Sequence, residues 1–384
     1  MAEAQGASRW KSFKRPRSPP RAPTAVGPST ATASVVAQHY NKRKNTHRTT
    51  TSGATIQGLR NMNNFIKSCL LNHYLRPNCS VLDIACGKGG DFSKFRAGRI
   101  GHYVGVDIAR GSVVDAISRY NGNGADLKPY PFTARFLSGD CFATDLASHL
   151  PRALRFDVVS CQFAIHYAFE SGARARQAMR NMAARLQPGG FLVGTTVDAS
   201  VLSAKLKASL SSATPGEFGN QHYRVVFDRA LVGEGALQAE LERCPFGATY
   251  RFTLEDSVED VPEWIVCKPV LVALAEAEGL KLVRWSNFHD FFEEESGPQA
   301  ELLRRMNVLP EPHHRQTEAE WEVAYLYTVF AFEKEAGPGP RMRAPHPGRA
   351  MHTRVEPASI IDCAALPLEQ LGAEPRQPGA PEAR

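Results

Sequence analysis

The chain has 384 residues, of which 43% are hydrophobic and 22% charged, a balance that suits a globular protein with a substantial core and excludes a fibrous or wholly disordered one. Its formal net charge of +7 gathers toward the N-terminus, which points to an anionic partner, nucleic acid first. Eight cysteines without a CxxC pair or Cys/His ligand spacing argue against a zinc site or a disulfide framework and for a reducing compartment.

Residues 1–52 are rich in Ser, Thr, Ala, Pro and Arg, with basic clusters at Lys14-Arg15-Pro16-Arg17 and Lys42-Arg43-Lys44 and almost no acidic residues. That composition predicts a disordered basic arm, read either as a nuclear import signal or as a phosphate-contacting segment. Helix and strand signals then alternate: a helix at 64–74, a strand at 80–84, a helix after Gly90, and a strand at 102–107. A helix at 112–120, strands at 135–138 and 156–161, a helix at 173–186 and a strand at 190–196 continue the pattern. Gln187-Pro188-Gly189-Gly190 reads as the stop of that last helix, since Pro cannot continue a helix and Gly takes the left-handed turn.

Residues 197–265 read as irregular, with a helix at 269–278 and a final strand at 323–333 after them. Residues 337–384 return to Pro, Gly, Ala and Arg and read as a disordered tail. No apolar run reaches the roughly 20 residues that span a bilayer, so no membrane partner is expected. The alternation predicts an α/β, Rossmann-like domain at 53–336 around a doubly wound sheet with helices on both faces.

Within it, Val81-Leu82-Asp83-Ile84-Ala85 runs into Cys86-Gly87-Lys88-Gly89-Gly90, whose glycines let a ligand approach the backbone. Asp107 ends the next strand, where a carboxylate accepts both hydroxyl protons of a ribose, an arrangement NAD sites share. The loop lacks GxGxxG spacing, and Asp83 precedes the glycines where a cationic ligand would lie, so a sulfonium with an amino-acid tail fits better than a dinucleotide. Asp140, after the third strand, suits the exocyclic amine of an adenine.

Together with Asn61-Met62-Asn63-Asn64-Phe65-Ile66-Lys67, Cys86-Gly87-Lys88-Gly89-Gly90-Asp91 and the aromatic, His-bearing stretch 156–171, these features resemble the eukaryotic mRNA cap guanine-N7 methyltransferases. Glu217-Phe218-Gly219-Asn220, Asp260-Val261-Pro262-Glu263-Trp264 and residues 321–332 extend the resemblance over residues 55–335. It implies a class I methyltransferase fold with a seven-stranded, mostly parallel sheet, S-adenosyl-L-methionine as methyl donor, no metal, and 5'-capped mRNA as substrate. It also implies a nuclear location and leaves room for a capping enzyme or an activating subunit as partner.

By the same resemblance Lys67, Asp83, Ala85, Gly87, Asp107, Asp140, Gln162 and Tyr167 line the donor site. Asn63, Asn64, Lys88, Lys94, Arg119, His166, Glu263 and Tyr327 meet the cap. Glu263 would accept the N1–H and N2–H of guanine, leaving N7 on the opposite edge, and Lys88, Lys94 and Arg119 would meet the triphosphate. Ala85 stands where the family pattern has glycine. His313 and His314, after a Pro-rich turn, read as loop residues.

Guanine N7 has a free lone pair, so transfer by in-line displacement needs no general base and no catalytic nucleophile, only positioning by His166 and Glu263. Two alternatives remain at this level: a class I enzyme acting on another RNA or a small molecule, and a non-catalytic RNA-binding relative.

Overall fold

The computed structural model describes residues 30–42, 56–123, 128–308, 317–336 and 352–364. Five strands run parallel: β1 (Ser80–Ile84), β2 (His102–Asp107), β3 (Thr133–Ser138), β4 (Phe156–Gln162) and β5 (Leu186–Val197). Every residue of β1 is buried, as a central parallel strand covered on both faces requires. Four further strands, β6 (Glu217–Gly219), β7 (Tyr223–Phe227), β8 (Thr249–Leu254) and β9 (Val258–Trp264), form a separate antiparallel sheet. The main sheet is completed by β10 (Leu280–Asn287), β11 (Tyr327–Lys334) and β12 (Ile361–Asp362), in the order β10-β11-β5-β4-β1-β2-β3-β12.

Only β11 runs against its neighbours within this sheet, antiparallel to both β5 and β10. The order reverses between β1 and β4, so the crevice at their carboxyl ends is the place where such a sheet takes its ligand. Side chains alternate between two buried apolar clusters, Val81 with Tyr103 and Val158 on one face, Leu82 with Val104 and Val159 on the other. The first face is covered by α2 (Gln57–Tyr74), α3 (Phe92–Ala97) and α4 (Arg110–Ser118), the second by α5 (Gly172–Ala183) and by Val36 of α1 (Thr30–Lys42).

The doubly wound sheet and the expected bounds of β1 and β2 are as the sequence implies, and the differences have physical reasons. Thr30–Lys42, inside the segment read as a disordered arm, is a helix, because composition averaged over a Ser- and Thr-rich arm conceals the apolar positions 33, 36 and 40 that dock on the domain. Residues 197–265, read as irregular, hold the second sheet, whose short strands give little periodic signal each. Gln187-Pro188-Gly189-Gly190 does not end a helix but lies within β5, where Gly189 takes φ +75° and the pairing with β4 shifts register. Residues 318–325 are helical, so the last long strand starts at Tyr327 instead of 323. Residues 352–364 of the expected disordered tail are ordered on the sheet edge, which gives the main sheet eight strands instead of seven. The basic cluster 14–17, Arg43-Lys44, and His313 and His314 lie outside the described residues.

Two packing devices set the frame for the site. Glu320 accepts the N–H of Thr317 at its own helix start and, with its other oxygen, the N–H of Leu59 in the first turn of α2, satisfying donors that a helix N-terminus leaves open. Phe92 is fully buried among Tyr103, Tyr120, Tyr130, Phe132 and Phe136, with ring centroids 5.0–6.3 Å away. A Cβ on Gly89 would stand 2.3 Å from the Phe92 ring, so the glycine loop and this aromatic cluster are packed as one unit. Phe92→Ala is expected to cost about 3–5 kcal/mol in chemical denaturation; a cost below about 1 kcal/mol would contradict that role.

Candidate active site

The crevice at the carboxyl ends of β1, β2, β3 and β4 opens into a cavity of about 290 Å³, roofed by Ala33, Val36 and Tyr40 of α1 and walled on the far side by Phe252, Leu254 and Val258 of the antiparallel sheet. Among the expected donor-site residues, Ala85, Gly87, Asp107, Asp140, Gln162 and Tyr167 line it; of the expected cap residues, Asn63, His166, Glu263 and Tyr327 do.

Asp107 lies at the end of β2, its Oδ2 accepting the N–H of Gly87 and its Oδ1 that of Ala109, both at 2.8 Å. Burial raises its pKa against the effect of those two bonds. Each oxygen keeps a second lone pair for a ribose hydroxyl. Gly87, at φ +53°, has nothing within 4 Å of where a Cβ would be, so its backbone faces open cavity. Asp140 accepts the N–H of Phe142 and a forked pair of bonds from Arg174, at 2.7 and 3.3 Å. Glu170 holds the same guanidinium from the other side at 3.2 Å. Gln162, at the end of β4, is oriented by Ser160 and Thr195.

The remaining expected residues stand behind the cavity lining instead of on it. Asp83 accepts the Tyr103 hydroxyl at 3.0 Å, and burial, reinforced by the charge of Asp91, pushes its pKa up to about 8. Lys67 and Lys94 both pair with Asp91, at 2.7 and 2.8 Å. Although burial opposes it, the two ammonium groups hold the Asp91 carboxyl well below the usual range. Asn64 accepts from the Lys94 ammonium, Lys88 pairs with Asp115 at 2.9 Å, and Arg119 donates to the carbonyl of Gly89. Of these, Lys88 ties the glycine loop to α4 and Arg119 holds its Gly89 carbonyl, while Lys67 and Lys94 serve as counter-charges to Asp91, which follows it.

The other lining residues have a different chemistry. Glu263, on β9, is 4% exposed and accepts the Tyr250 hydroxyl at 2.8 Å; burial pushes its pKa up to about 7. His166 is 3% exposed, and neither ring nitrogen has a hydrogen-bond partner among the described residues, with Glu263 Oε1 at 3.5 Å from Nε2. Burial pushes its pKa down to about 3, so the ring is neutral. Asn63 Oδ1 is buried without a partner as well. Buried polar atoms left unsatisfied in a cavity are a site's recognition groups. Tyr327 packs edge-on to Phe163 at 5.0 Å, forming an aromatic floor for a flat base. Among the described residues no three His, Cys, Asp or Glu side chains converge as metal ligands do.

Sequence reasoning missed Tyr40, Arg174, Tyr250 and Phe252. Tyr40, whose hydroxyl is 3.3 Å from that of Tyr167, was findable from the helical spacing 33, 36, 40. Tyr250 and Phe252 were findable from period-two alternation in Tyr250-Arg251-Phe252-Thr253-Leu254. Arg174 was findable from its i, i+4 relation to Glu170.

A parallel sheet with one reversed strand, carboxylates at three successive strand ends and a glycine loop facing the cavity define a class I S-adenosylmethionine-dependent methyltransferase. Residues 27–335 match the mRNA (guanine-N(7))-methyltransferase domain, and the chain belongs to that family. It is 42% identical to mRNA cap guanine-N(7) methyltransferase 1 of Oryza sativa subsp. japonica over 323 residues, 82% of this chain and 85% of that protein. To its namesake in Arabidopsis thaliana it is 42% identical over 78% of this chain and 80% of that one. The mRNA cap guanine-N(7) methyltransferase of Saccharomyces cerevisiae is 33% identical, covering 78% and 70%. A methyltransferase structure from Clostridium acetobutylicum resembles the chain loosely, with a TM-score of 0.40 and 12% identity over 72% of this chain and 92% of that one. The family match begins at residue 27 instead of 55, which takes in α1.

Ala85 carries the backbone at φ +55°, the left-handed region that costs a non-glycine residue about 1–2 kcal/mol. Ala85→Gly is therefore expected to raise stability by about 0.5–1.5 kcal/mol in urea denaturation. A loss of stability would show that the alanine methyl is packed instead of strained.

Proposed function

We propose that the parallel-sheet side of the cavity binds S-adenosylmethionine, the antiparallel-sheet side binds the terminal guanine of 5'-capped mRNA, and the enzyme methylates guanine N7 by positioning alone. The observation that carries this reading is the buried pair Glu263 and His166, a carboxylate with Oε2 held by Tyr250 and a neutral imidazole with no hydrogen-bond partner among the described residues, lining the same cavity as Asp107 and Asp140.

The donor supplies an electrophilic methyl group on a positively charged sulfur. Asp107 is placed to accept from the ribose hydroxyls and Asp140, steadied by Arg174, from the adenine amine. Glu263, with Oε2 held by Tyr250, offers Oε1 to the N1–H and N2–H of guanine, while His166 offers a neutral ring nitrogen. Holding guanine by that edge turns N7 the other way, toward the donor. The N7 lone pair forms the new bond as the carbon–sulfur bond breaks, so positive charge leaves sulfur and arrives on the guanine ring. The Glu263 carboxylate on the held edge offsets that charge, and no proton has to leave. Lys88, Lys94 and Arg119 do not line the cavity; Lys94 is buried with its ammonium on Asp91 and Asn64, and a role for Lys88 and Arg119 at the triphosphate requires the bridge to run outside the cavity, over the loop.

The basic clusters outside the described residues support a nuclear location, and the family relation supports a capping enzyme or an activating subunit as partner. Deleting residues 1–26, which spares α1, is expected to change location without lowering methylation in vitro; an unchanged location would set aside an import signal there. Co-expression with a capping enzyme is expected to raise the methylation rate, and no rise would argue against partnership.

Glu263→Gln is expected to lower kcat/KM for capped RNA by about 10–100-fold, the value of a charge-assisted hydrogen bond, while S-adenosylhomocysteine binding in calorimetry stays unchanged. Loss of cofactor binding in that variant would sink the division of roles. Glu263 must be ionised to accept from guanine, and its pKa stands near 7. The wild-type kcat/KM for capped RNA should accordingly rise with pH through about 7 and then level; a profile flat from pH 6 to 8 would contradict this.

A further inference from the structure

The family match ends at residue 335, yet residues 352–364 are laid along the far edge of the main sheet. β12 pairs in parallel with β3, Ile361 opposite Leu137 and Asp362 opposite Ser138, and the N–H of Cys363 donates to the carbonyl of Ser138 at 2.9 Å. Ile360 and Cys363 are buried. A Cβ on Gly139 would stand 2.5 Å from that of Cys363, so the segment sits directly on the peptide that leads into Asp140. An open sheet edge accepts an extended segment by backbone pairing, and here the chain supplies its own.

The other end of the segment grips a second loop. Asn121 bonds Val355 twice, its Nδ2 donating to the Val355 carbonyl at 2.7 Å and its Oδ1 accepting the Val355 N–H at 3.1 Å. The Tyr120 hydroxyl donates to the carbonyl of Phe132 at 2.6 Å and has the carbonyl of Thr353 at 3.3 Å, and His352 lies against the Tyr120 ring at 4.9 Å with Nδ1 3.0 Å from the carbonyl of Tyr130. Directly before these residues stands Arg119, whose guanidinium holds the carbonyl of Gly89 in the glycine loop.

We propose that residues 352–364 are a clasp in cis that positions the adenine side of the donor site, by joining the Ser138–Asp140 end of β3 to the Arg119–Asn121 turn that holds the glycine loop. The clasp acts through the backbone on which Asp140 and Gly89 are carried. The functional unit then extends past the family domain to residue 364. This inference rests on the assignment of the cavity as the S-adenosylmethionine site.

The test is deletion of residues 345–384, with S-adenosylhomocysteine and the cap analogue GpppG titrated separately by calorimetry. The expected result is an S-adenosylhomocysteine affinity lowered by about tenfold, the scale of one or two net hydrogen bonds, with GpppG affinity unchanged. A synthetic peptide of residues 345–366 added in trans should restore the loss, and Asn121→Ala in the full chain should show a smaller loss in the same direction. Unchanged S-adenosylhomocysteine affinity overturns the clasp, as does a loss of both ligands together, which would mark a general stabilising role, or a peptide that restores nothing. Failure of the intact chain to bind S-adenosylhomocysteine overturns the donor-site assignment, and the clasp with it.

Discussion

The structure turns on one carboxylate. Asp107, at the end of β2, accepts the N–H of Gly87 after β1 and of Ala109 at the start of α4. Two adjacent strand ends are thereby tied together beside the crevice that opens where the strand order reverses between β1 and β4. The bonds also keep the carboxylate pointed at the cavity at a depth where an unsatisfied anion would be costly. The left-handed backbone at Ala85, Gly87 and Gly89 is the conformational counterpart of the same turn. The Phe92 cluster beneath Gly89 makes it rigid.

Around this turn the chain sets two walls of unlike chemistry. The donor side is built on groups whose partners are mostly supplied by the protein: Asp140, on the lining, by Arg174, and, off the lining, Asp91 by two lysines and Asp83 by Tyr103. Elsewhere on the lining Glu263 and His166 keep unfilled hydrogen-bonding capacity in a buried setting, where each is worth more than it would be in water. On the proposed assignment, that contrast separates positioning of the donor from recognition of the base and brings the antiparallel sheet, through Glu263, into the site.

Much of this was legible in the sequence, and the reason differs from one element to the next. β1 and β2 could be read to the residue because they are short, buried at every position but His102, and bounded by glycine or polar turns. The three strand-end aspartates followed from that, and the resemblance supplied Glu263 and His166. The placement of Asp83, Lys67 and Lys94 behind the lining was not legible, because it depends on which groups neutralise one another once buried, a tertiary property with no spacing rule. α1 was hidden by the composition of its surroundings, and β12 by its length of two residues, too short for any periodic signal. The second sheet was hidden for a milder reason: its alternation is present in Tyr250-Arg251-Phe252-Thr253-Leu254 but each strand is brief.

The central claim is that guanine is held by its N1 edge so that N7 faces the donor. It is tested most directly by incubating the protein with S-adenosylmethionine carrying an isotopically labelled methyl group and GpppG-capped RNA, then digesting the RNA and locating the label by mass spectrometry. The account predicts label at N7 of the terminal guanine alone. Label on any other atom or nucleotide, with the cofactor consumed, would contradict it.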